Sequence, residues 1–238
     1  MPAWAHPMDV MRLVVTGEGC SNPEKKDRSN TRELVLNLIG KMGPALIYWY
    51  HFSHSGIRLT STQTLPNDSI AANFLKLLRM GQGMEQDPQM SHKVVSKLDE
   101  KALDVSLILY AEHGFNASTF ASRITASTLS DIYSAISTGI GTLKGNLHGG
   151  ANEAAMEYLE GLKSTADADK FLKTIFDKKQ KLMGFGHRVY KKGDPRHKIA
   201  KKYSELLSKT PSGIVVTLFN LKEGLRCTKS ATTLKRGL

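Results

Sequence analysis

Asp131-Ile-Tyr-Ser-Ala-Ile-Ser-Thr-Gly-Ile-Gly-Thr-Leu143 places its large apolar side chains at 132, 133, 136, 140 and 143. Steps of three and four residues stack on one side of a helix, whereas a half-buried strand would alternate. The same spacing recurs in Thr31–Met42, Ser69–Leu78, Met90–Tyr110, Ala151–Leu162 and Ala168–Lys181, so the chain reads as all-α. Asp194 followed by Pro195 reads as an N-cap with proline at the first helical position, opening a helix over Arg196–Ser208. Gly145 and Gly161 each follow a periodic segment and read as left-handed residues that close it. Loops are expected at Gly17–Asn30, Ser53–Asp68 and Gly81–Gln89, and at the glycine-punctuated turns near His148 and His187. After Thr210 the texture changes: Pro211–Gly213 breaks the helix, Ile214–Leu221 favours β structure, and Lys222–Leu238 is basic without a periodic apolar face.

The 238 residues, 40% of them hydrophobic, are enough for one large domain or two modest ones. No apolar run approaches the roughly 20 residues that cross a bilayer, and Met1–Asp9 lacks the pattern of a secretory signal or transit peptide. Cys20 and Cys227 stand far apart with no CxxC or histidine partner, which argues against a disulfide framework or a zinc site and for a reducing compartment. The net charge of +11 is concentrated in Lys163–Lys209, where fourteen Lys/Arg face five Asp/Glu. Such a surplus favours an anionic partner: nucleic acid, a membrane surface, or a phosphorylated and carboxylated small molecule. Aromatic residues are not interleaved with the lysines as a nucleic-acid stacking platform requires, and no nucleic-acid or membrane partner is expected.

Three histidines stand in unusual company. His113 lies in Tyr110-Ala-Glu-His-Gly-Phe-Asn-Ala-Ser-Thr119, His148 in Gly145-Asn-Leu-His-Gly-Gly-Ala-Asn-Glu153, and His187 in Met183-Gly-Phe-Gly-His-Arg-Val-Tyr190. His148 immediately precedes a helix, whose dipole favours a neutral imidazole able to donate a hydrogen bond to an enolate oxygen. Gly184 and Gly186 bracket Phe185, giving a backbone that can lie against a flat ligand and present its N–H groups. Arg188 and Arg196 can pair with carboxylates, arginine in bidentate fashion. One histidine in a glycine turn is more often a capping residue than a catalyst; the joint occurrence of three is what points to a site. His51 and His54 share an i,i+3 spacing without a third ligand, and packing is their expected role.

These segments resemble, in order and spacing, the three signature segments of citrate synthases: Glu112–Arg123, Leu147–Glu153, and Gly184–Tyr190 with Asp194-Pro-Arg196. The likeness runs from about His6 to about Ser208, and His6–Arg12, Leu46–His54 and Ser106–Tyr110 look like the 2-methylcitrate synthase branch. The resemblance implies an all-α fold with a partial large domain at 1–150, a partial small domain at 151–210 and a divergent tail at 211–238. It implies condensation of propionyl-CoA or acetyl-CoA with oxaloacetate in a homodimer, without metal or other cofactor. It assigns His148 and His187 to catalysis, His113 and Arg196 to oxaloacetate, and Lys181, Leu182, Met183, Gly184, Phe185 and Gly186 to CoA. The three histidines are then expected around one cleft, and a cytoplasmic protein is expected, or a mitochondrial one if a leader precedes Met1. The family also carries an Asn-x-Asp segment with the general base, and Ile214–Leu238 contains no Asp. Family members also begin well before the position matched by Met1, so the resemblance implies a chain lacking both ends of the family's enzyme, with a catalytically impaired fragment or a non-catalytic partner subunit as the alternative reading.

Overall fold

A computed structural model describes residues 1–59, 67–80, 95–111, 113–187, 189–190 and 192–210. Among these the regular structure is entirely helical: α1 (Pro7–Ser21), α2 (Thr31–Ser55), α3 (Ile70–Met80), α4 (Lys97–Ala111), α5 (Ala117–Ser127), α6 (Ile132–Leu143), α7 (Gly150–Gly161), α8 (Thr165–Asp177) and α9 (His197–Leu207). The expectations for Gly81–Gln89, for the first residues of Met90–Tyr110, for Arg188 and for the tail from 211 lie outside the described residues. No described helix is long and apolar enough to cross a membrane. The chain divides into two compact units, Met1–Lys144 with α1–α6 and Gly145–Leu238 with α7–α9.

In the first unit, α5 packs on α6, α6 on α1, α1 on α2, α2 on α3, and α3 on α4. Val15, Leu34, Leu38 and Tyr133 form the buried cluster, and Met42, Ile132, Ile136 and Ile140 pack against it. The apolar stripe quoted from α6 therefore is a core face. Tyr133 donates its hydroxyl to the Asn22 carbonyl at 2.6 Å, and burial pushes the phenol above its ordinary range. Asp131 caps α6 by accepting the Ser134 amide at 3.0 Å and the Ser134 hydroxyl at 2.6 Å. Those bonds hold its carboxyl below the usual carboxylate range. Arg79 of α3 meets Asp99 of α4 at 3.0 Å, with both side chains less than a tenth exposed. His51 is buried and hydrogen-bonded to the Leu77 carbonyl at 3.0 Å, so it packs α2 onto α3 as expected.

Several local expectations are corrected. Gly17–Asn30 is not wholly loop, because α1 continues to Ser21 with Val10 and Val15 buried. Its start was overlooked: the His6 side chain caps it by accepting the Met8 amide at 3.1 Å, and Pro7 occupies the first helical position. α2 does not stop near Met42. It runs through Pro44 to Ser55 and closes at Gly56 (φ 69°), since burial of Ile47, Trp49 and His51 outweighs the missing proline amide. Neither Gly145 nor Gly161 takes a positive φ; α6 is followed by Lys144 in right-handed geometry and α7 by an extended Leu162. α8 opens earlier than Ala168, because the Ser164 hydroxyl accepts the Asp167 amide at 3.1 Å. Asp194 does not cap the last helix: α9 begins at His197 behind an Asp194–His197 turn.

Candidate active site

Within the second unit the chain reaches α7 through a tight turn. The amides of His148 and Gly150 both donate to the Gly145 carbonyl, at 2.8 and 3.2 Å, and Ala151 donates to the His148 carbonyl at 3.2 Å. His148 is thereby fixed, half-buried, in the turn from which the helix winds. α7 joins α8 through the rings of Tyr158 and Phe171, 5.0 Å apart.

Beyond α8 comes the glycine segment. Lys181 is exposed, Leu182 and Met183 are half-buried, and Phe185 lies 41% exposed. Gly184 and Gly186 have φ of 82° and 84°, which an L side chain rarely adopts, so both glycines are required by the turn itself. A Cβ at Gly184 would stand 3.0 Å from the Ala155 methyl, which places this turn directly on α7.

His187 ends the turn. Its Nδ1 accepts the Val189 amide at 3.1 Å and the Tyr190 amide at 3.3 Å, and its ring lies 4.5 Å from the Tyr190 ring at an interplanar angle of 32°. With Nδ1 an acceptor, the proton of the neutral ring sits on Nε2, and the imidazole is a hydrogen-bond donor at that atom. Arg196 is held by Asp194. Nε donates to Oδ1 at 3.0 Å and to Oδ2 at 3.2 Å, Nη2 donates to Oδ2 at 2.6 Å, and the Arg196 amide donates to Oδ1 at 2.9 Å. The side chains are 27% and 30% exposed, so the pair is a partly solvated fork that fixes the guanidinium plane.

His113 belongs to the first unit, half-buried in the turn between α4 and α5. The neighbours in its motif shape that turn. Asn116 caps α5 through the Thr119 amide at 3.1 Å, Phe115 meets Phe120 edge-on at 5.4 Å, and the Arg123 guanidinium lies 5.1 Å from the Phe115 ring centroid. Two cavities of this unit, of about 490 and 730 Å³, are lined by none of the expected site residues.

Sequence reasoning missed three contributors. Tyr190 and Asp194 stood in the motifs without an orienting role, and their proximity in sequence to His187 and Arg196 was the available signal. Ala155 carried no signal, because nothing in a helical alanine announces a contact with a glycine about thirty residues later.

The comparisons agree with this scaffold. The 2-methylcitrate synthase of Shewanella oneidensis is 46% identical over 212 residues, covering 87% of this chain and 52% of its own length. The citrate/2-methylcitrate synthase of Bacillus subtilis is 40% identical over 205 residues, covering 85% of this chain and 51% of its own. The chain thus spans about half the length of the curated relatives it matches. Among solved structures, the citrate synthase of Thermoplasma acidophilum, in a ternary complex with carboxymethyl coenzyme A and oxaloacetate, superposes with a TM-score of 0.76 at 29% identity. It is matched over 98% of this chain and 58% of its own. The model of the family described as citrate synthase, C-terminal domain, matches residues 1–225, past the Ser208 limit of the visible motifs, and the chain belongs to that family.

Proposed function

We propose that this chain carries the acyl-CoA condensing chemistry of its family, joining acetyl-CoA or propionyl-CoA to oxaloacetate to give citrate or 2-methylcitrate and free CoA. The observation that carries the reading is the His187 imidazole, whose Nδ1 is occupied by two backbone amides so that Nε2 presents a proton. A donor fixed before substrate arrives stabilises developing negative charge without reorganisation.

The steps follow from the groups. A base removes a proton from the acyl carbon next to the thioester while His148 donates to the thioester oxygen, so charge gathers on an enolate held by a hydrogen bond. The enolate carbon attacks the keto carbon of oxaloacetate, whose oxygen becomes an alkoxide. His187 polarises that oxygen through Nε2–H and passes the proton to it; water then adds to the thioester carbonyl of the condensed product, the C–S bond breaks, and CoA thiol leaves with the new carboxylate. Arg196, its plane set by Asp194, clamps a substrate carboxylate, and His113 holds oxaloacetate. The Lys181–Gly186 backbone lies against the CoA adenine, and the basic stretch attracts the polyanionic thioester. The solved relative bound to carboxymethyl coenzyme A and oxaloacetate supports the pairing of ligands. The names of the relatives favour the 2-methylcitrate branch. Preference between two acyl groups differing by one methylene rests on pocket shape and is worth only about 1–3 kcal/mol.

The second reading is a non-catalytic subunit that keeps ligand recognition. Thiol release from propionyl-CoA and acetyl-CoA with oxaloacetate separates the two. Turnover that falls about 10²- to 10⁴-fold in His187→Ala supports condensation; wild-type chain with no release above background, yet binding oxaloacetate, supports the subunit reading.

A further inference from the structure

The turn that ends in His187 lies close against α7 at Gly184. A carbon at the Gly184 Cβ position would lie 3.0 Å from the Ala155 methyl, whereas ordinary carbon contacts begin at about 3.5–4.0 Å. Any side chain at 184 would crowd that methyl. α7 is also the helix that the His148 turn starts, since Ala151 donates to the His148 carbonyl at 3.2 Å. Ala155 lies in its second turn, about 7.5 Å along the axis from Gly150. On the other side, Gly184 precedes His187 by one short turn, and the imidazole is tied to the Val189 and Tyr190 amides. α7 and the turn at Gly184, close to the Ala155 methyl, thus lie between the His148 turn and the His187 ring.

We infer that Ala155 is a positioning residue: its methyl is the spacer that sets the separation between His148 and His187. The functional meaning of that spacing rests on the condensation reading; the contact itself does not. Volume added at 155 or 184 lifts the turn from α7, and volume removed at 155 relieves the crowding of a side chain at 184 but not the backbone strain of its φ of 82°; Gly184→Ala and the double variant share that strain, so the difference between them reads the contact alone. Misplacing a reacting group by about 1 Å costs on the order of 10²-fold in rate.

Four forms of the full chain test this: Ala155→Val, Gly184→Ala, Ala155→Gly, and the double variant Gly184→Ala with Ala155→Gly. Each is measured for kcat and KM in thiol release, for hydrogen exchange of the 184–190 amides, and for its thermal midpoint. Ala155→Val and Gly184→Ala are expected to lower kcat about 10²-fold and to speed exchange in 184–190 while α8 exchanges as before. Adding Ala155→Gly to Gly184→Ala is expected to restore about tenfold of the lost rate and to slow the exchange again. A merely structural alanine would move the thermal midpoint and the exchange without a matching loss and recovery of kcat. Wild-type kcat and exchange in Ala155→Val, or strictly additive effects in the double variant, overturn the spacer. If Ala155→Val fails to fold, the double variant, which adds no net volume, decides. If no form turns over, the condensation reading fails, and suppression of the exchange effect alone decides the spacer.

Discussion

Replacing His187 separates the two jobs of its ring. Nδ1 accepts amides at 3.1 and 3.3 Å, and the neutral ring then donates from Nε2. An asparagine carries its side-chain oxygen close to the position of Nδ1, so His187→Asn keeps an acceptor for the Val189 and Tyr190 amides and removes the distal donor. Loss of one preorganised donor to a developing oxyanion costs about 2.7–4 kcal/mol, or roughly 10²- to 10³-fold in kcat. The turn should stay intact, so exchange of amides 189 and 190 is expected within about twofold of wild type. His187→Gln does the converse, placing an amide near Nε2 and leaving no acceptor at Nδ1. Each lost hydrogen bond is worth about 0.5–1.5 kcal/mol, and His187 is exposed, so water takes up much of the loss. Exchange at 189 and 190 should rise by roughly tenfold, with part of the turnover retained. Thiol release and hydrogen exchange measured on both variants check the reasoning. Wild-type turnover in His187→Asn, or unchanged exchange at 189 and 190 in His187→Gln, refutes it.

Asp99→Ala leaves the Arg79 guanidinium without the carboxylate 3.0 Å away in a site where both partners are less than a tenth exposed. Breaking such a buried pair costs about 3–5 kcal/mol, expected as an earlier urea midpoint; a loss below about 1 kcal/mol contradicts it. Asp131→Ala removes the α6 cap and should cost about 1 kcal/mol at pH 7. Because the folded carboxyl is held low by Ser134, its contribution is complete above the unfolded value near 3.9 and fades as pH falls through the folded one. Wild type and Asp131→Ala should therefore converge in urea melts as pH falls below the ordinary carboxylate range, and a constant gap contradicts the assignment. Arg196→Lys cannot reproduce the Nε and Nη2 fork on Asp194, and the KM for oxaloacetate is expected to rise at least about tenfold.

The helical class was legible because long apolar stripes at three- and four-residue spacing survive in the structure as core faces, as in Ile132, Tyr133, Ile136 and Ile140. Boundaries were less legible where local signals compete with burial. Gly43-Pro44 looks like a stop, yet α2 passes through it because the side chains beyond are worth more buried than the lost hydrogen bond. Asp194-Pro195 looks like a cap, yet the Asp194 carboxylate holds both the amide and the guanidinium of Arg196, and the regular helix starts only at His197. The candidate histidines stand out by motif, because each lies beside glycines in a turn at the edge of a helix. Their supports do not, because Tyr190 and Ala155 act through contacts that only three dimensions create.

A crystal structure of the chain with oxaloacetate and carboxymethyl-CoA tests the central claim most directly. The account predicts one oxaloacetate with its keto oxygen about 2.6–3.2 Å from His187 Nε2, a carboxylate on the Arg196 guanidinium, and the thioester end of the CoA ligand at His148. Ligands bound away from these three side chains, or His187 donating to anything other than that oxygen, would contradict it.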